Sequence, residues 1–215
     1  MKGTHMNRCR HSIIMVVALL VLAVVGCRTP ERPAASDATP AAEPVAVADN
    51  EELQAMFEAD QGERMTEDGK INWAVVAKND KERQARVLEL ESAGLIRTGN
   101  DYFHAAMIFQ HGSTPEDYER AHQYAKKGVE LGSSHPVAKW LIAATWDRWQ
   151  MSRKLPQWYG TQYIRRSLDG PLELYTIDET AVTDDDRRAL GVPTLAEAKQ
   201  RLVEMNGERQ ESTSP

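Results

Sequence analysis

Cysteine is nearly missing from this chain. Its 215 residues hold two, Cys9 and Cys27, both ahead of the main body. The body therefore has no thiol for a disulfide or a cysteine nucleophile, and its fold must rest on an apolar core. Long apolar runs are equally scarce. The one such block, Ile13 to Val25, is shorter than the roughly twenty residues that a membrane-spanning helix needs. No glycine-rich phosphate loop and no Gly-x-Ser-x-Gly elbow occur, which removes two familiar classes of nucleotide and ester chemistry. Positive charge is not in excess either. With 26 Lys and Arg against 32 Asp and Glu the net charge is −6, which argues against nucleic acid as a partner.

What is present begins at the N-terminus. Lys2, Arg8 and Arg10 precede the apolar block, and the run Val24-Val25-Gly26-Cys27 closes it. A basic region, an apolar region and a small residue before the cut, in that order, make an export signal. The run resembles the lipobox of bacterial lipoproteins. That resemblance implies diacylglycerylation of the Cys27 thiol, cleavage just before it, and attachment to a membrane through acyl chains. Each buried methylene contributes about 0.8 kcal/mol, so two or three chains hold essentially permanently. Arg28 stands where an Asp would favour inner-membrane retention, so the resemblance implies an extracytoplasmic, lipid-anchored protein, on the outer membrane in a Gram-negative cell. Removal of residues 1–26 takes away three positive charges and no negative one, moving the net charge to −9.

Four domains follow: signal 1–26, tether 27–49, helical domain 50–206 and tail 207–215. The tether carries Pro30, Pro33, Pro40 and Pro44 among Ala and small polar residues, and buries too little to offset its ordering entropy. The polar tail is expected to be disordered. Between them the signals are helical, and the expected fold class is all-α, a compact helical domain with one irregular segment from Leu155 to Asp178. Helix starts are read at Asn50, Asn79, Asn100 or Asp101, Thr114-Pro115, Pro136, Thr183 and Thr194, and stops at Gly94, Gly132, Gly191 and Gly207. Leu172 to Ile177 reads as a short extended piece.

Two resemblances bear on the body. Ala121-x-x-x-Ala125-x-x-Gly128-Val129, Leu131-Gly132 and Ala138-x-x-Leu141 with Ala144 resemble one helical hairpin of the Sel1 or tetratricopeptide kind, in which small residues let helices approach closely. One repeat makes no solenoid, so it serves as a packing device. The strings Asp60-Gln61-x-x-Arg64, Gln110-His111, Asp147-Arg148 and Tyr159-Gly160-Thr161-Gln162 resemble an uncharacterised family of bacterial helical domains. This second resemblance spans roughly Glu51 to Val192, and implies a domain without a reaction.

Arg148 falls inside the apolar stripe of Val137, Leu141 and Ala144, so it is expected to project into protein and to need partners there. Asp60, Gln61, Arg64, His111, Asp147, Arg148, Gln157, Tyr159 and Gln162 form the candidate polar pocket. In it His111 would act as general base or acid, Arg64 or Arg148 would bind an anionic group, and Gln157 and Gln162 would orient a ligand. The alternative is a buried network that only holds the 155–178 segment on the helices. Zinc between His111 and His122 is a minor alternative, so no metal and no cofactor is assigned. Trp140, Trp146, Trp149, Trp158, Tyr159 and Tyr163 admit either a core role or stacking on sugar rings. The favoured function is a binding or structural module of the envelope, whose partners are the membrane through Cys27 and an envelope protein or glycan. An envelope hydrolase using His111 is the second reading.

Overall fold

The computed structural model describes residues 47–66, 69–167 and 170–213. The signal, Cys27 and nearly all of the tether lie outside the described residues.

Helix α1, Glu51–Gly62, starts at Asn50, whose side chain accepts from the Leu53 amide. Helix α2, Trp73–Ser92, is capped by Asn72, not by Asn79 as expected. Asn79 is an interior residue, because its side chain is used elsewhere, donating to Glu63 at 2.8 Å. Helix α3, Gly99–Gln110, opens one or two residues earlier than expected. Thr98 is its N-cap, and Asp101 is the reciprocal partner of the capping box. The buried Asp101 carboxylate also accepts from the Asn50 amide at 2.7 Å, which ties the start of α1 to the start of α3.

Helix α4, Pro115–Glu130, has the expected Thr114 cap with proline in its first turn. Helix α5, Ala138–Ser152, begins two residues after Pro136 and has no side-chain cap. The segment expected to be irregular contains an antiparallel pair, β1 (Tyr163–Arg165) and β2 (Leu172–Leu174), with Ile164 opposite Glu173. Helix α6, Asp184–Ala189, starts at the Thr183 capping box. Helix α7, Leu195–Thr213, follows the Thr194 and Glu197 box and runs through Gly207, where a stop was expected. One glycine in a helix costs only about 1 kcal/mol against alanine, so it does not have to end one.

The fold is thus mostly helical, with a single small sheet among the described residues. Helix α3 lies at its centre and packs against α1, α2, α4 and α5. Its residues Phe103, Ala105, Ala106, Ile108 and Phe109 are all buried, and Leu53, Val87, Leu90 and Leu141 close around them. Burying each such large side chain contributes about 1.5–3 kcal/mol. Gly128 of α4 lies against α3, where a β-carbon on it would stand 3.0 Å from the Gly99 carbonyl oxygen. A β-carbon on Gly99 would lie 2.3 Å from the Ser133 nitrogen and 2.8 Å from the Gly128 carbonyl oxygen. Helix α7 holds the sheet in place, since Asn206 exchanges two hydrogen bonds with the Leu172 backbone at 2.8 and 3.0 Å.

Candidate functional site

The last turn of α1 presents Asp60, whose side chain is wholly buried. His111 is the C-cap of α3, so its ring leaves the helix where the chain turns, and Nδ1 lies 2.9 and 3.0 Å from the two carboxylate oxygens of Asp60. Gln61 donates to the same carboxylate at 2.7 Å, and Arg64 at 2.9 Å. Burial pushes the Asp60 carboxyl upward, but His111, Arg64 and Gln61 outweigh it and hold the group below the usual carboxylate range. The His111 imidazole keeps 18% of its side-chain surface, and among the described residues only its Nδ1 is hydrogen-bonded.

Helix α2 supplies the remaining charge. Arg64 reaches Asp80 at 2.6 Å, Arg83 binds both Asp80 and Glu63, and Arg83 stands 3.7 Å from Asp60. These α2 residues are absent from the set read in the sequence. A signal for them exists: Val76, Asp80, Arg83, Val87 and Leu90 are the buried residues of α2, spaced alternately four and three apart. Charges at two positions of such a stripe have to meet partners inside the protein.

Asp147 does different work. Its buried carboxylate accepts from the Trp158, Tyr159 and Thr161 amides at 2.8, 3.0 and 2.9 Å and from the Thr161 hydroxyl at 2.8 Å. Burial raises its pKa, and those four donors oppose the shift. Gly160, at φ +86°, lets the loop curl around this one carboxylate. On the loop's other face Arg187 donates to the Trp158 and Tyr159 carbonyls at 2.9 and 3.2 Å. Gln157, fully buried, pairs with the Gln162 backbone in both directions and donates to the Tyr175 carbonyl.

The nine expected residues therefore do not share one pocket. Asp60, Gln61, Arg64 and His111 meet. Asp147, Gln157 and Tyr159 instead build and hold the loop, and Tyr159 does so through its backbone. Arg148 and Gln162 lie between the two groups. Arg148 Nε donates to Gln162 Oε1 at 3.1 Å and Nη1 to the Gln110 carbonyl at 3.4 Å, next in the chain to His111.

The other histidines have different surroundings. His122 Nδ1 faces the Ile142 carbonyl at 3.1 Å, and burial pushes its pKa down to about 4. His104 stacks on Phe57 at 4.7 Å. Among the described residues no group of three or more His, Cys, Asp or Glu is placed to hold a metal ion. Three of the indoles pack on one another, Trp146 lying 5.3 Å from Trp149 and 4.5 Å from Trp158. Trp140 instead lines a cleft of about 560 Å³ with Pro193, Arg188 and Arg201. No helix among the described residues is long and apolar enough to cross a membrane.

Fold and site together define a small helical domain with a buried ionic centre, one edge of which reaches the surface at His111. No known family model, curated protein or solved structure matches the chain.

Proposed function

We propose that the chain is a lipid-anchored extracytoplasmic module of the bacterial envelope that binds a ligand beside His111. The anchor rests on the order of basic residues, apolar block and Val24-Val25-Gly26-Cys27, followed by the proline-rich tether. The Sel1-like and tetratricopeptide-like hairpin and the uncharacterised bacterial family accord with a binding role but name no ligand. The observation that carries the reading is the imidazole itself. A wholly buried carboxylate fixes one ring nitrogen, and among the described residues no group bonds the other. A ring held in a fixed orientation, with a partly exposed edge, can exchange water for a ligand at that second nitrogen.

A second reading has one supporting feature: a carboxylate holding a histidine by Nδ1 is the arrangement that orients a general base. On this reading His111 activates water in an envelope hydrolase. Among the described residues no hydroxyl side chain is hydrogen-bonded to His111, so on this reading the nucleophile is water and not a serine or threonine.

Two measurements test the proposal. Mass spectrometry of protein from its native cell is expected to find acyl groups on Cys27, and Cys27→Ser is expected to leave the membrane fraction. A bare sulfur on a chain with its leader intact overturns the anchor. Soluble peptidoglycan fragments are expected to raise the melting temperature of the wild type and not of His111→Ala, with the unliganded temperatures about 2–4 °C apart. No response to the fragments, with a large loss of stability in His111→Ala, shows a network without a ligand.

A further inference from the structure

Five arginines among the described residues are not exposed: Arg64, Arg83, Arg120, Arg148 and Arg187. Four of them have carboxylates within 4.0 Å: Arg64 has Asp60 and Asp80, Arg83 has Asp60, Asp80 and Glu63, Arg120 has Glu91, and Arg187 has Asp184. Arg148 has none. Its hydrogen bonds among the described residues go to a neutral amide and a backbone carbonyl, through Nε and Nη1, and none there involves Nη2. Burial, the largest influence, lowers its pKa; Tyr118 opposes this, and the like charge of Arg64, a smaller influence, lowers it further. A half-buried cation without a counter-charge costs several kcal/mol, and a bound anion offsets that cost.

The guanidinium is also held ready. Gln162 fixes Nε, and the Gln162 amide is itself anchored on the Ala144 carbonyl at 3.2 Å, one turn before Arg148 on α5. The planar fork keeps its outer edge for a two-point contact with an oxyanion. Beside it Gln110 is 6% exposed, its amide nitrogen reaches the same Ala144 carbonyl at 3.4 Å, and its Oε1 is buried without a donor. An unmet acceptor next to an unmatched cation describes a ligand with both an anionic group and a donor.

We propose that Arg148 binds the oxyanion of a ligand, a carboxylate or a phosphate, and that Gln110 Oε1 accepts from an N–H or O–H adjacent to that oxyanion. This rests on the reading of the His111 region as a ligand site and names the chemistry of that ligand.

The test uses the full chain purified in detergent and labelled for nitrogen NMR. N-acetylglycine, which has a carboxylate and a neighbouring N–H, is expected to shift the Arg148 Nε–H signal saturably. Acetate, which lacks the donor, is expected to bind about tenfold more weakly. N-acetylglycinamide, which lacks the charge, is expected to leave that signal in place; the acid is also expected to shift the Gln110 side-chain amide signal saturably, and Arg148→Gln to abolish that second shift. Methyl phosphate against N-acetylglycine separates a phosphate from a carboxylate source. If Arg148→Gln fails to fold, Gln110→Leu keeps the cation and is expected to bind acetate and N-acetylglycine equally. Equal shifts from the neutral amide and the acid, or none from any anion, overturn the inference. A neutral amide that moves the His111 ring signals and not Arg148 leaves the ligand site standing and removes only its anion.

Discussion

The two carboxylate oxygens of Asp60 lie at nearly equal distance, 2.9 and 3.0 Å, from one nitrogen of His111, which joins the end of α1 to the end of α3. The bond joins unlike partners: Asp60 is wholly buried, while His111 reaches the surface. Asp60 belongs to the interior and His111 to the site, and their variants are expected to behave differently.

Asp60→Asn keeps the shape of the side chain and removes the charge shared by Arg64, Arg83 and His111. Leaving buried guanidinium groups short of a counter-charge is expected to lower stability by about 3 kcal/mol or more in urea unfolding. His111→Ala, at the rim, is expected to cost about 1 kcal/mol. A His111 variant as damaged as Asp60→Asn places the imidazole among the structural groups.

Asp147 makes four hydrogen bonds to the 158–161 loop, so its removal is expected to act locally before it acts globally. In Asp147→Ala the Trp158, Tyr159 and Thr161 amides are expected to lose hydrogen-exchange protection well ahead of the α3 core. Uniform loss across the domain contradicts a local clamp.

Gly99 has no room for a side chain against Ser133 and Gly128. Gly99→Ala must push α4 and its following turn away from α3, at a cost of roughly 1–3 kcal/mol seen in thermal or urea unfolding. An unchanged melting temperature shows that the two segments separate freely.

The buried His122 gives a pH dependence whose sign follows from its depressed pKa of about 4. Between the unfolded value near 6.5 and that folded value, the unfolded chain holds a proton that the folded chain does not. Stability is therefore expected to fall as the pH drops from about 6.5 to 4, by at most about 3 kcal/mol from this residue. His104, also lowered by burial, adds with the same sign. Below about 3.8 the lowered Asp60 carboxyl adds a further loss as it is protonated. Urea unfolding of wild type and His122→Gln at pH 7 and 4.5 checks this; an equal loss in both proteins assigns the slope to other groups.

Local chemistry made much of the helical frame readable. Asn50, Thr114, Thr183 and Thr194 cap helices where their hydroxyls and amides were expected to, because a cap needs only residues three apart in the chain. The start of α2 escaped because Asn72 and Asn79 are equally able caps, and what separates them is the distant Glu63, which engages Asn79. Residues in the four strings do come near one another, but their roles could not be read from the strings. Asp147 and Arg148 are neighbours in sequence, yet one helical step of about 100° sends one into the loop backbone and the other toward Gln110.

The chain alone determined that the domain is helical, where most of its helices begin, and that its polar residues on apolar faces must find partners. Tertiary packing decided which partners. It joined Asp80 and Arg83 to Asp60 across more than one helix, closed the loop on Asp147, and left Arg148 without a carboxylate. The reason is range: capping and periodicity act over a few residues, whereas counter-charges are matched by whichever elements the core brings together.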